Sequence, residues 1–204
     1  MLNIRSIPLM CVILLSVTGC YSQSGPKSDF KLEKTDKSPQ GDITINYYRS
    51  SKGQLQQVWL SAKDSSSIEP KLLYQHERYV EIKFSPDENW IAVNDYLGSS
   101  MSEVFLFTRR NFLDYREERS IDINGGTWKF FSKCNPQAEG SAMDHIYVRV
   151  ECWAANSNAM LLALSGHNSP GDQLDDWFCV YDLETLSPSL NLELMNRDAL
   201  EMKP

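Results

Sequence analysis

The chain has 204 residues, 42% of them hydrophobic, with 27 acidic and 20 basic side chains and a formal net charge of −7. This length and apolar content are enough for one folded domain with a hydrophobic core. The excess of acidic residues disfavours nucleic-acid binding, because affinity for phosphate backbones comes from lysine and arginine.

The first twenty residues have the pattern of an export signal. Arg5 is their only charged residue, and residues 7–17 are mostly apolar. This stretch is too short to span a membrane, which takes about 20 apolar residues. The charged start and short apolar centre therefore predict a secretory signal peptide over residues 1–19.

The end of this segment, Val17-Thr18-Gly19-Cys20, resembles the lipobox of bacterial lipoproteins. The resemblance implies cleavage before Cys20, lipidation of its thiol with diacylglycerol, and acylation of the new N-terminus with a chain such as palmitate. Several acyl chains hold a protein durably on a membrane without spanning it. Tyr21 stands where an aspartate would resemble an inner-membrane retention signal. The outer membrane facing the periplasm is therefore favoured, and the inner membrane stays open. An ordinary signal peptide with a chance cysteine is the alternative.

Residues 20–41 are predicted to be the lipidated cysteine and a flexible tether, because Ser, Lys, Asp, Gly and Pro dominate the segment. Residues 42–204 are predicted to form the folded domain. Their pattern is short alternating runs, rich in β-branched and aromatic residues and bounded by turn residues. About ten such runs predict an all-β domain; they cover 43–49, 57–62, 71–75, 79–84, 90–95, 102–109, 127–133, 145–152, 159–166 and 176–184. The tail from Thr185 allows either a closing strand, which we favour, or a short helix.

An internal repeat links residues 79–109 to residues 147–183. Each unit consists of an alternating strand, a polar turn, an apolar strand, a loop rich in Gly and Ser, and an aromatic outer strand. Such self-similarity is typical of repeat architectures.

The motif Phe84-Ser85-Pro86-Asp87 followed by WIAV (90–93) resembles the WD40-like propeller repeat of TolB-type periplasmic proteins and of prolyl-oligopeptidase-like peptidases. The resemblance implies that Phe84 packs between blades, that residues 57–60 form the outer strand of a preceding blade, and that residues 70–75 form the inner strand of the next. Closed propellers have 4–8 four-stranded blades. The chain is shorter, so we expect a partial or minimal propeller. Closure by a dimer and a β-sandwich-like arrangement stay open.

Three cysteines follow Cys20, namely Cys134, Cys152 and Cys179. An exported protein meets an oxidising compartment, and an odd number allows at most one pair within the chain. A disulfide between Cys134 and Cys152 is slightly favoured. The alternative is that all three are small core residues.

No catalytic or metal site is predicted, and no cofactor. His76, His145 and His167 are the only histidines and lack metal-ligand spacing, and no GxSxG motif is present. Asp172, Asp175 and Asp176 could hold calcium, although a solvated loop explains them more simply.

Loops at one rim are the predicted partner-binding surface, with Asn94, Asp95, Tyr96, Trp153 and His167 as candidates. Aromatic and polar loop residues on a rigid β scaffold suit protein recognition. The chain is thus predicted to be a membrane-anchored, non-catalytic module that binds a periplasmic protein. An inhibitor or immunity protein against a toxin or hydrolase, and an enzyme accessory domain, are the alternatives.

Overall fold

The computed structural model describes residues 25–136, 143–168 and 173–197. These residues form twelve strands and two helices. The strands are β1 (Phe30–Lys37), β2 (Ile43–Ser50), β3 (Gln56–Ala62), β4 (Lys71–His76), β5 (Val80–Phe84), β6 (Trp90–Asp95), β7 (Met101–Arg109), β8 (Tyr115–Glu117), β9 (His145–Trp153), β10 (Ala159–His167), β11 (Gln173–Asp182) and β12 (Ser187–Ser189). The helices are α1 (Ile123–Cys134) and α2 (Glu193–Asn196).

The strands form three consecutive antiparallel meanders, β1–β4, β5–β8 and β9–β12. A four-stranded meander is the blade unit of a propeller. The second and third meanders join where β7 and β9 pair in parallel at Met101 and Ser102. The prediction of an all-β partial propeller is confirmed, with twelve strands rather than about ten.

The prediction that residues 70–75 form the inner strand of the next blade is wrong. Residues 71–75 lie in β4, which pairs with β3 and completes the first meander, and they do not begin the next blade. β4 pairs with β3 at five registered positions, so its backbone groups on that side are satisfied within the first sheet, and residues 77–79 then carry the chain to the second meander. The second meander therefore starts at Val80.

The predicted strand at 127–133 is also wrong, since these residues belong to α1. The Asp122 side chain caps the helix by accepting a hydrogen bond from the Gly125 N–H at 2.9 Å. Ile123, Thr127 and Phe131 are buried at helical spacing. Their period of four places one face of α1 on the sheet, which outweighs the β-propensity of the aromatic run.

The predicted tether is shorter than expected. Its residues 30–37 form β1, which pairs along β2. Most β1 side chains are exposed, so the segment lacks the apolar alternation that marks a strand in a sequence. Backbone pairing with β2 holds it in the sheet. The folded domain thus begins by Phe30 and not at residue 42, while residues 20–24 lie outside the described residues.

Two main hydrophobic clusters fill the spaces between neighbouring meanders. Cluster 1 lies between the first and second meanders and includes Val58, Leu60, Phe84 and Ile91. Cluster 2 lies between the second and third meanders and under α1; it includes Val104, Phe131, Val150, Leu162 and Tyr181. The position of Phe84 between blades is the one that the propeller resemblance implied.

The two turns of the internal repeat have the same backbone geometry. In the first, the Ser85 N–H donates to the Trp90 oxygen at 2.9 Å, and in the second the Ala154 N–H donates to the Ala159 oxygen at 2.8 Å. Glu88 and Ser157 occupy the equivalent left-handed position, with φ of 58° and 64°. The second turn thus keeps the conformation without the Ser-Pro-Asp residues.

The described cysteines are unpaired in the structure. Because residues 127–133 are helical, Cys134 ends α1, whose Phe131 ring packs on Trp177 of β11. Cys152 lies instead beside Lys83. The structure therefore does not bring Cys134 and Cys152 together as predicted.

The C-terminal tail contains both predicted alternatives in shortened form. Ser187–Ser189 form β12, which pairs with β11 and completes the third meander. Glu193–Asn196 form α2, whose Leu194 and Met195 pack on the other face of β10 and β11. No helix in the described part of the chain is long and apolar enough to cross a membrane.

Candidate functional site

A cleft of about 410 Å³ lies at the open end of cluster 1, between the first two meanders. One wall is β1 and β2, and the other is the outer edge of β5. The lining residues include Glu33, Lys34, Asp36, Tyr47, Arg49, His76, Tyr79, Val80, Glu81, Ile82 and Lys83. A second cleft of about 380 Å³ adjoins it and shares Asp36 and Ile82. Together they run along the whole of β5.

The charges in the cleft are paired with one another. The three cations among its described lining residues lie within ion-pair distance of lining carboxylates. The pairs are Lys34 with Asp36 at 2.6 Å, Arg49 with Glu33 at 2.6 Å, and Lys83 with Glu81 at 3.9 Å. Exposed ion pairs contribute only about 0–1 kcal/mol each, so they are not strong determinants of stability. Their effect here is that the cleft has no excess of either charge.

Tyrosines form the rim and floor of the cleft. Tyr79 is 62% exposed, and its ring packs on Tyr96 with centroids 5.4 Å apart. The Lys34 ammonium lies 5.1 Å from the centre of the Tyr47 ring. Burial, together with the Asp36 carboxylate, raises the pKa of Tyr47, so its hydroxyl stays protonated. These rings offer a partner apolar area with little side-chain entropy to lose.

His76 lies at the base of the cleft and is buried. Its Nδ1–H donates to the Arg78 carbonyl oxygen at 2.6 Å, and Nε2 is buried without a hydrogen-bond partner. Burial lowers the pKa of His76 below its ordinary value of 6.5. The ring is therefore held neutral and serves as packing next to Tyr74.

We expect His76 to make the fold sensitive to mild acid. A group whose pKa is lowered by folding contributes stability that is present above its unfolded pKa and is lost as the pH falls through the folded pKa. As the pH drops below about 6.5, the free energy of unfolding should decrease by up to about 1.4 kcal/mol per pH unit. Urea titrations from about pH 7.5 to about pH 5 would measure this, and His76→Gln should have a shallower slope over that range. An equal slope in both proteins would contradict the assignment.

Two of the predicted partner-binding residues are buried. Asn94 is 0% exposed, and its side-chain amide bonds to both the N–H and the carbonyl of Val150, at 2.8 and 3.0 Å. Asp95 is 3% exposed and accepts the Tyr74 hydroxyl at 2.8 Å. The partner-binding prediction is therefore wrong for both. They are polar residues near a loop in the sequence, but their side chains satisfy buried groups.

Trp153 and His167 do not reach the cleft. The Trp153 Nε1–H donates to the Lys83 carbonyl at 2.9 Å and its ring packs on cluster 2, so it joins two meanders. His167 stacks on His145, directly opposite on β9, with ring centroids 4.2 Å apart. It lines a separate, open cleft of about 720 Å³ on the third meander.

Tyr96 alone among the five candidates lies at the rim of the first cleft, through Tyr79. Sequence reasoning missed Tyr47, which lies in β2, and Tyr79, which directly precedes β5, because both look like ordinary sheet residues in the sequence. It also missed Lys34 and Asp36, because β1 was interpreted as tether.

The calcium alternative has no support in the described residues. Asp172 lies outside them, and the Asp176 carboxylate accepts the Arg149 guanidinium at 2.8 Å. Among the residues that the structure covers, no group of three or more His, Cys, Asp or Glu side chains is placed to hold a metal ion.

Comparisons with known proteins show a similarity in structure and none in sequence family. No protein-family model matches the chain, and no curated protein matches it. The crystal structure of TolB from Acinetobacter baumannii superposes with a TM-score of 0.42 and 9% sequence identity. The match covers 78% of this chain and 31% of that chain, so this chain spans about a third of that protein's length.

Proposed function

We propose that this protein is a lipid-anchored, non-catalytic protein-binding module of the bacterial cell envelope. Its anchor is Cys20, and the side of attachment is the outer membrane facing the periplasm. The signal peptide and the lipobox-like Val17-Thr18-Gly19-Cys20 support this placement. With β1 folded into the domain, fewer than ten residues separate Cys20 from Phe30, so the proposal places the domain close to the membrane surface.

The observation that supports binding is the cleft between the first two meanders, with exposed Tyr79 at its rim. Tyrosine is enriched among the residues that contribute most to protein–protein binding, and Tyr79 offers its ring beside a concave surface. The internally paired charges favour a protein over a phosphate-rich ligand, because the lining cations already have carboxylate partners.

The proposal can be tested by photo-crosslinking in living bacteria. A benzoyl-phenylalanine replaces Tyr79 in the full-length chain, and the control carries it at Leu190, directly after β12, which is 58% exposed against 62% for Tyr79. We expect ultraviolet light to give a discrete protein adduct from position 79 and none from position 190. The adduct should sediment with membranes, and Cys20→Ser should release it into the soluble fraction.

Two results would overturn the proposal. One is a folded protein that gives no adduct at position 79, or the same adducts at both positions. The other is an unlipidated chain whose membrane association does not depend on Cys20.

A further inference from the structure

Within the described part of the chain, β5 is an edge strand, and its outer edge borders the cleft along its whole length. It lies at one end of the sheet that the second and third meanders form together, and β6 is its one partner strand among the described residues. Native proteins usually cover or blunt such edges, because a row of free N–H and C=O groups is a template for another strand. Here the edge faces a cleft.

The hydrogen-bond pattern identifies which backbone groups of β5 are free. The Ser85 N–H donates to the Trp90 oxygen at 2.9 Å, and the Tyr96 N–H donates to the Tyr79 oxygen at 3.1 Å. In an antiparallel pair, hydrogen-bonded and non-bonded positions alternate. Odd-numbered residues of β5 therefore bond to β6, whereas the N–H and C=O groups of Val80, Ile82 and Phe84 point away from it.

The surroundings of this edge differ between its two sides. Val80, Ile82 and Phe84 direct their side chains toward cluster 1, next to Tyr47. Glu81 and Lys83 lie on the opposite side of the strand and form one of the ion pairs of the cleft. A strand added at this edge would place alternate side chains on an apolar surface and on a charged one.

We propose that the ligand of the cleft is an extended peptide segment of the partner, which adds to β5 as a strand and bonds to the backbone of Val80 and Ile82. This inference rests on the proposed function and specifies the ligand of the same cleft. Free main-chain groups and an aromatic rim are what the cleft offers beyond its paired charges, and both suit a peptide in β-strand addition. Peptides with alternating apolar and polar residues should bind best.

The test uses the full-length protein in lipid nanodiscs and a random peptide display library. A selected peptide is then synthesised, and its affinity is measured for the parent, Ile82→Ala and Ile82→Pro. Both variants lose the side chain, but only proline also removes the outward N–H and blocks the edge. The bonds to β6 are kept, because residue 82 does not bond to β6. We expect Ile82→Pro to bind roughly ten-fold or more weakly than Ile82→Ala.

Amide exchange on the parent keeps the test valid if Ile82→Pro fails to fold. Adding the peptide should slow exchange of the Val80 and Ile82 N–H groups by roughly ten-fold or more. The Glu81 and Lys83 N–H groups, already bonded to β6, should change little.

Three outcomes would overturn the inference. Equal affinity of the two Ile82 variants would show that the edge is not used. Protection of Val80 and Ile82 on concentrating the protein alone would make the occupant a second copy of this chain. If the selection gives no peptide ligand, the edge does not bind extended peptides. An adduct at position 79 would then still support a protein-binding module.

Discussion

Replacing Phe84 by alanine is expected to lower the free energy of unfolding by about 3–5 kcal/mol, the range for deleting a buried aromatic side chain. Phe84 is buried in cluster 1 between the first two meanders, and its ring meets Tyr115 edge-on with centroids 5.8 Å apart. Alanine would remove this pair and leave a cavity where two sheets meet. Urea unfolding of the full-length protein, followed by tryptophan fluorescence, measures the change.

Phe178 supplies the matched control for this prediction. It is also a phenylalanine in a strand, but it is 46% exposed. Phe178→Ala should cost less than about 1 kcal/mol, as surface substitutions usually do. If the two variants lost similar amounts, Phe84 would not be the link between the meanders that the structure indicates.

Replacing Asn94 by leucine is the second large change, with an expected loss of about 2–4 kcal/mol. The substitution nearly preserves volume but leaves the Val150 N–H and carbonyl without partners in a site closed to water. An unsatisfied buried polar group costs about 1–3 kcal/mol, and two such groups act together here. Urea unfolding gives the total, and faster exchange of the Val150 amide would localise the effect.

Ser102→Ala provides a graded comparison at the same interface. Its hydroxyl donates one hydrogen bond to the Val148 carbonyl at 3.0 Å, so we expect a loss of about 1 kcal/mol. A loss for Asn94→Leu no larger than for Ser102→Ala would contradict the role given to the Asn94 amide.

These two polar side chains explain how the second and third meanders stay together. β7 and β9 pair at only two registered positions, Met101 and Ser102, after which the strands diverge. Beyond that point the backbone groups of β9 that face away from β10 would lack partners. Ser102 reaches Val148 and Asn94 reaches Val150, so side chains replace the missing strand contacts.

The proposed peptide site depends on the same blade architecture. In a longer propeller, further blades complete a ring, whereas the described residues form three meanders. In this partial propeller, the edge of β5 borders the cleft between the first and second meanders. The pairing of Tyr79 with Tyr96 places an exposed aromatic rim at one end of that edge.

The all-β class follows from the sequence alone, because the period-two alternation of apolar residues is a local pattern of strands that face a core on one side. The sequence also located Phe84 between blades and the two repeated turns, whose backbone is set by local hydrogen bonds. Tyr96 at the rim was the part of the candidate site that this reasoning reached.

The remaining features follow from the three-dimensional fold, because they depend on contacts with residues distant in the chain. β1 is a strand because β2 offers it an edge, although its own side chains are mostly exposed. Residues 127–133 are helical because α1 is capped by Asp122 and buries one face against cluster 2. Asn94 is a buried connector because Val150, 56 residues away, needs its amide. The free edge of β5 exists because β4 pairs with β3, and no local pattern in the sequence encodes that choice.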